Sequence, residues 1–369
     1  MERLASTSHP AHKNVGVIGL GIIGRAVAAH LRRKGFPVYV WNRSPRPVPN
    51  FVGSLGELAW ICDYIQIFVS DDEALLKTLE QLSADLSSRH IVLAHSTVAP
   101  DSMRAAAEIV ESRGARFVEA SFTGSKPAAE KGELVYYVGG TEAALREARP
   151  ILEASSKAII EIGTVGQASA IKIATNMITA ASAQAAAEAL ALVQASGLPL
   201  EKFVEAMRAN ASYSGTLALK LPKMLDRDFE PQFSVKHMLK DMQIASQIAL
   251  SHYLDLGVTA AARDQLLEQM QWGHGDDDYS SVARKYLHEP AAAFYEEPST
   301  VEQDEQTDAG QSTTGSAESE TQSVEPQDAG SQQPLLGFAA AASGAANETT
   351  GLRRGFLKQL LSRFSSGQG

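Results

Sequence analysis

Lys172 and Asn176 stand four residues apart in the run TVGQASAIKIATN, a spacing that puts an amine and an amide on one face of a helix. Ile171, Ile173, Ala174, Met177 and Ile178 surround them. An ammonium partly stripped of water by such neighbours has its pKa lowered and gives up a proton more readily, as a general acid must. On its own, a lysine on a helix is an ordinary solvated charge. Position decides here: Gly163 and Gly166 break the chain just upstream, and a helix starting there turns Lys172 and Asn176 toward a cleft between two domains.

A second group of residues suits a phosphate. Gly19-Leu20-Gly21-Ile22-Ile23-Gly24 follows the apolar run at 15–18 and opens a helical pattern. In such a G-x-G-x-x-G turn Gly19 permits the bend, Gly21 lets backbone approach a pyrophosphate, and Gly24 lets helix and strand pack closely, with the helix N-terminus facing the phosphates. The motif alone is weak, but a strand before it, a helix after it and a second strand, VYVW, make it a dinucleotide site. That strand runs into Asn42-Arg43-Ser44. An NAD enzyme usually carries an acid about 20 residues after the glycines, for the ribose 2′-hydroxyl. An amide followed by a cation and a hydroxyl suits a 2′-phosphate instead, so NADP(H) is preferred over NAD(H).

These residues need a scaffold, and the chain supplies two kinds. From residue 14 onward, Val- and Ile-rich runs (VGVIGL, VYVW, IQIFVS, IVLAHST, RFVEAS, LVYYVGG, AIIEIGT) alternate with helix-length segments. That alternation predicts a doubly wound sheet of buried parallel strands over 14–164. Beyond Gly166 the β-branched runs stop, and helix formers predict an all-helical domain over 165–295. Its longest helix is the Ala-rich 169–196, stopped by Gly197-Leu198-Pro199. The fold class is therefore an α/β Rossmann doubly wound sheet followed by an all-α domain and a disordered C-terminal tail. The small residues of the long helix suit a close-packed interface, so a homodimer or homotetramer is expected.

Charge and composition narrow the function classes. The formal net charge of −10 comes from a stretch at 296–328 with ten acids and neither Lys nor Arg; the remainder is neutral. Nothing in it suggests a nucleic-acid partner. The Ser/Thr/Gln/Glu-rich 296–350 cannot bury enough surface to order itself and is expected to be a linker. It leads to 351–364, where Phe356, Leu357, Leu360, Leu361 and Phe364 share one helical face between Arg354 and Arg363. Residues 353–364 could dock on a partner or an anionic membrane surface, or form only a short helix that frays in water. Cys62 is the only cysteine, and no run reaches the ~20 apolar residues of a membrane span. The N-terminus has no apolar signal region, and a cytoplasmic location is expected. The histidines lack metal-ligand spacing, and His237 and His252 are expected at the surface.

Four segments together carry a resemblance: GLGIIGRAVAAHL, EASFTGSKPAAEKGEL, GTVGQASAIKIATN and FSVKHMLKDMQIA. In this order the chain resembles the β-hydroxyacid dehydrogenase family from residue 14 to about 290, and Thr123-Gly124-Ser125-Lys126 resembles its glyoxylate/succinic semialdehyde reductase branch most. The resemblance implies that Thr123, Gly124 and Ser125 hold the substrate carboxylate. It further implies that Lys172 protonates the carbonyl oxygen while Asn176 fixes the oxygen or the lysine. By the same resemblance Ser70, Thr97 and Lys240 line the cofactor pocket, with Phe233 and Asp241 beside nicotinamide and substrate. The implied reaction is metal-free, NADPH-dependent reduction of a small aldehyde acid such as glyoxylate, succinic semialdehyde or a tartronate semialdehyde-like compound, or the reverse oxidation of a β-hydroxy acid. The chain departs from the family's Pro-Val-Ser-Gly by having Ser121-Phe122-Thr123-Gly124, which bears on substrate size. Two alternatives stand beside this reading: an imine reductase-like enzyme, a branch expected to lack the lysine, and a non-catalytic NADP-binding module recruited through its tail.

Overall fold

The computed structural model describes residues 13–287, and the expected linker at 296–350 and terminal helix at 351–364 lie outside the described residues. The Val- and Ile-rich runs form seven strands: β1 (Val15–Ile18), β2 (Val38–Trp41), β3 (Tyr64–Ile67), β4 (Ile91–Ala94), β5 (Arg116–Thr123), β6 (Leu134–Gly140) and β7 (Ser156–Gly163). Between them run α1 (Ile22–Arg33), α2 (Leu55–Ile61), α3 (Asp72–Ser83), α4 (Pro100–Glu111), α5 (Ser125–Lys131) and α6 (Glu142–Glu153). The seven strands make one sheet in the order β2-β1-β3-β4-β5-β6-β7. All neighbours are parallel except β5 and β6, which pair antiparallel with Glu119 opposite Gly139.

That reversal corrects the expectation of parallel strands throughout. A parallel return needs a crossover of about a dozen residues or more. The connection from Thr123 to Leu134 holds only the short α5, so LVYYVGG runs back alongside RFVEAS. Apolar side chains fill both faces of the sheet: Val15, Val17, Leu93 and Tyr136 on one side, Ile18, Ile65, Ile67 and Phe117 on the other. Strands buried on both faces read as continuous apolar runs, which is why they were visible.

After β7 the chain becomes helical: α7 (Gln167–Ala195), α8 (Leu200–Arg208), α9 (Gly215–Leu225), α10 (Val235–Ser251), α11 (Gly257–Gln271) and a 3₁₀ helix, Tyr279–Lys285. The long α7 packs on β5 and β6 near its start and on α9, α10 and α11 farther along, through Ala180, Ala183, Ala187 and Leu190. It thus belongs to the core of both halves. Among the described residues no helix is long and apolar enough to cross a membrane.

Candidate active site

The glycine turn after β1 is closed on one side and open on the other. A Cβ on Gly19 would lie 2.0 Å from the Phe68 carbonyl oxygen, and one on Gly24 would lie 2.0 Å from that of Gly19. Only glycine lets β1, the end of β3 and α1 approach so closely. A Cβ on Gly21 would meet nothing within 4 Å. Gly21 also begins α1, whose N-terminus no side chain caps. An open turn presenting free first-turn amides fits the pyrophosphate of a dinucleotide. The turn lies where β1 meets β3 and the strand order reverses, the usual ligand crevice of such sheets.

Asn42 does work that its sequence position did not reveal. Its Oδ1 accepts from the Leu20 amide at 3.0 Å, and its Nδ2 donates to the Ser44 carbonyl at 2.9 Å. It therefore clips the glycine turn to the loop after β2. Arg43 and Ser44 are exposed on that loop, and so is Arg46, a second cation that the sequence reading passed over. Ile22 and Ile23 are half-buried in the first turn of α1. Ser70 follows β3, exposed, with its hydroxyl donating to Asp71, and Thr97 follows β4, half-buried.

Around Lys172 the structure builds a relay of buried polar groups. Lys172 is 8% exposed, and its Nζ donates to Asn176 Oδ1 at 2.9 Å. Asn176 Nδ2 in turn donates to Asp241 Oδ2 at 2.6 Å, and Asp241, on α10, is fully buried. Lys240 Nζ reaches Asp241 Oδ1 at 2.7 Å and also donates to the Thr97 carbonyl. The relay therefore ties α7, α10 and the loop after β4 together. The carboxylate can only accept, so it fixes the Asn176 amide with nitrogen toward itself and oxygen toward Lys172. Burial pulls the Lys172 pKa down to about 8; Asp241 opposes that shift and Lys240 adds to it. The Lys240–Asp241 pair is not a solvated surface contact: Asp241 is sealed off and Lys240 mostly so.

Thr123, Gly124 and Ser125 lie at the end of β5, half-buried, where the backbone takes unusual turns: φ is +125° at Gly124 and +55° at Ser125. A serine in that region is uncommon, and such conformations gather at binding loops. Phe233 lies just before α10, its ring stacked on His237 at 6.2 Å and edge-on to Tyr279 at 6.1 Å. His237 was expected at the surface and is not there. It is half-buried, bonded to Ser234 Oγ at 2.8 Å, and its pKa is lowered by burial and then by Lys240 and Lys236. Its neighbours Ser234 and Phe233 lie on the same stretch of chain, but the half-burial they share comes from the fold, which His spacing does not carry. His252 is exposed as expected.

Residues 14–166 match the NAD binding domain of 6-phosphogluconate dehydrogenase, and residues 166–286 match the NAD-binding family of NADP-dependent 3-hydroxyisobutyrate dehydrogenase. The chain is 30% identical over 282 residues to glyoxylate/succinic semialdehyde reductase 1 of Arabidopsis thaliana, covering 73% of this chain and 96% of that protein. Among solved structures, 3-hydroxyisobutyrate dehydrogenase of Mycobacterium tuberculosis with L-serine superposes with a TM-score of 0.67 at 23% identity, over 75% of this chain and all of that one. Psf3 in complex with NADP+ and 2-OPP superposes at 0.70 with 22% identity, over 74% of this chain and all of that one.

Proposed function

Because the chain belongs to the β-hydroxyacid dehydrogenase family and is an NAD(P)-dependent oxidoreductase of that type, we propose that it reduces a small aldehyde acid with NADPH, Lys172 serving as the proton donor. The observation that carries the reading is the buried relay Lys172–Asn176–Asp241–Lys240. Bound over the glycine turn, a nicotinamide dinucleotide supplies the hydride. The chain's own part is to hold the acid and place the proton. Thr123 and Gly124 offer a hydroxyl and an amide to the substrate carboxylate, and Ser125 continues that loop. Phe233 closes the apolar side of the pocket, with Ser70 and Thr97 on the cofactor side. Lys172 protonates the carbonyl oxygen as negative charge develops there, a donor that stabilises charge only when it appears. Asn176 aims the lysine, and Asp241 and Lys240 hold Asn176.

Glyoxylate and succinic semialdehyde, named in the Arabidopsis relative, are the first substrates to test. NADPH is favoured over NADH because no acid stands at Asn42, and Arg43, Ser44 and Arg46 line the loop beside it. The structural relative with NADP+ supports that choice. Initial rates with NADPH and NADH against aldehyde acids, ketoacids and cyclic imines test the proposal. Consumption of NADPH with a carboxylated aldehyde is expected, and Arg43→Ala should raise the KM for NADPH more than that for NADH. Turnover of cyclic imines alone would replace the reading with an imine reductase, and cofactor binding with no turnover of any panel member would favour the non-catalytic module.

A homodimer or homotetramer accompanies this reading. Ile171, Ile178 and Leu192 are exposed, Ile178 to 70%, at multiples of seven residues along α7, and Leu250, Tyr253, Leu254 and Val258 are exposed where α10 turns into α11. Apolar surface of this extent marks a contact. Light scattering of the full chain tests it, and a monomer would refute it. The low cysteine count and the buried Cys62, its thiol pushed up to about 12 by burial, suit a cytoplasmic setting.

A further inference from the structure

Glu119 is a fully buried carboxylate in the middle of β5, at the head of the segment EASFTGSKPAAEKGEL and given no role above. Among the described residues it has no cationic partner: its Oε2 accepts from the Gly166 amide at 2.6 Å and its Oε1 accepts from the Ser169 amide. Gly166 begins α7 and Ser169 lies in its first turn, so the carboxylate caps the positive end of the 29-residue helix that carries Lys172 and Asn176. Burial raises the Glu119 pKa, and the amide hydrogen bonds oppose that rise.

The surrounding sequence makes room for this contact. Gly139 on β6 pairs directly with Glu119, and a Cβ there would come within 3.0 Å of Glu119 Oε2 and 2.8 Å of the Thr164 carbonyl oxygen. A side chain at that position would force the carboxylate aside by a few tenths of an ångström and shift the Thr164 backbone just ahead of α7. Glu119 and Thr123 are four residues apart on one strand and, by the alternation of a strand, project to the same face of the sheet. Ser169 and Lys172 are three apart on one helix, about 4.5 Å along its axis. One side chain therefore links the strand that ends in the carboxylate-binding loop to the helix that bears the proton donor.

We propose that Glu119 is a positioning residue, setting the distance between Lys172 and a substrate held at Thr123–Gly124. The proposal rests on the reductase reading above. It touches neither the glycine turn nor the loop after β2, so its removal should act on the proton-transfer geometry and leave the cofactor in place. A misplacement of about 1 Å at a reacting pair can lower a rate by about 10²-fold.

The test compares wild type, Glu119→Ala, Glu119→Gln and Gly139→Ala at a temperature where each is folded by circular dichroism, measuring kcat and KM for the aldehyde acid and the Kd for NADPH. Glu119→Ala should lose about 10²-fold in kcat, with the NADPH Kd within about twofold of wild type. Glu119→Gln, which keeps one acceptor oxygen, should recover part of that loss. If Glu119→Ala does not fold, Gly139→Ala displaces the same carboxylate while leaving it present, and should lower kcat with the Kd again unchanged. An unchanged kcat in whichever variant folds would overturn the proposal. So would a fall in kcat matched by an equal loss of NADPH binding, the mark of general destabilisation. A wild type that turns over no aldehyde acid overturns the reductase reading itself, whereas an active wild type beside unaffected variants overturns only the role of Glu119.

Discussion

The helical half buries two lysine–aspartate systems built on opposite plans. In one, Lys220 Nζ contacts Asp278 directly, at 2.8 and 2.9 Å to its two oxygens, with the side chains 2% and 0% exposed. Asp278 also accepts from the amides of Gln232, Phe233 and Ser280 and from Ser280 Oγ, and Lys220 lies 4.5 Å from the Tyr279 ring centre. In the other, Asn176 stands between Lys172 and Asp241, and Asp241 gives its second oxygen to Lys240. Burial lowers the pKa of both lysines, but Lys220 is drawn back by a carboxylate in contact. Direct contact and many donors fasten a proton and a loop in place. An intervening amide leaves the proton available, and on the proposed function that separates a structural pair from a proton-donating one.

The comparison can be broken first at Lys172. Lys172→Ala should lower the rate of reduction by about 10²–10⁴-fold, as losing a general acid does, with no drop in the thermal midpoint. A stable, fully active variant would put Lys172 in the structural class. Lys220→Ala should do the reverse. Leaving Asp278 buried and unpaired costs about 3–5 kcal/mol, read from denaturant unfolding, while folded molecules keep most of their turnover. Near-native stability in that variant would erase the distinction from the other side.

The sharper test is to convert one plan into the other. In wild type the acid form of Lys172 is the ammonium, so reduction should fall as pH rises through about 8, and the reverse oxidation should rise over the same window. Asn176→Asp sets a carboxyl group against Asp241, so the two share one proton, and it brings their negative charge into contact with Lys172, which favours the ammonium. The midpoint should move up by about 1 to 3 pH units. A midpoint that stays near its wild-type position would show that the amide does not insulate the lysine. The smallest effect is expected at Ser280→Ala. Losing one hydroxyl donor to Asp278 should cost about 1.5 kcal/mol, because Lys220 and the three amides still reach the carboxylate.

How far each system could be read in the sequence follows from where its partners lie. Lys172 and Asn176 are one helical turn apart, and periodicity exposed them. Asp241 is 65 residues from Asn176 and entered only through resemblance; Lys220 and Asp278 are 58 apart and went unremarked. The strands were legible because burial on both faces leaves uninterrupted Val and Ile. Their direction was not, since β6 has the same composition whether it runs with β5 or against it, and the length of α5 decided the matter. Glu119 sits inside an apolar run and looks like the polar end of RFVEAS. Its meaning depends on two amides 47 and 50 residues away.

The clip formed by Asn42 sets terms for any attempt to place an acid beside the glycine turn. Exchanging Asn42 for Asp keeps an oxygen for the Leu20 amide and so preserves the glycine turn, but it deletes the donor that pins the Ser44 carbonyl. The loop bearing Arg43 would be released in the same stroke that brings in an acid for the ribose. Any change at position 42 therefore acts on two contacts at once, the acceptor that holds the glycine turn and the donor that holds the loop.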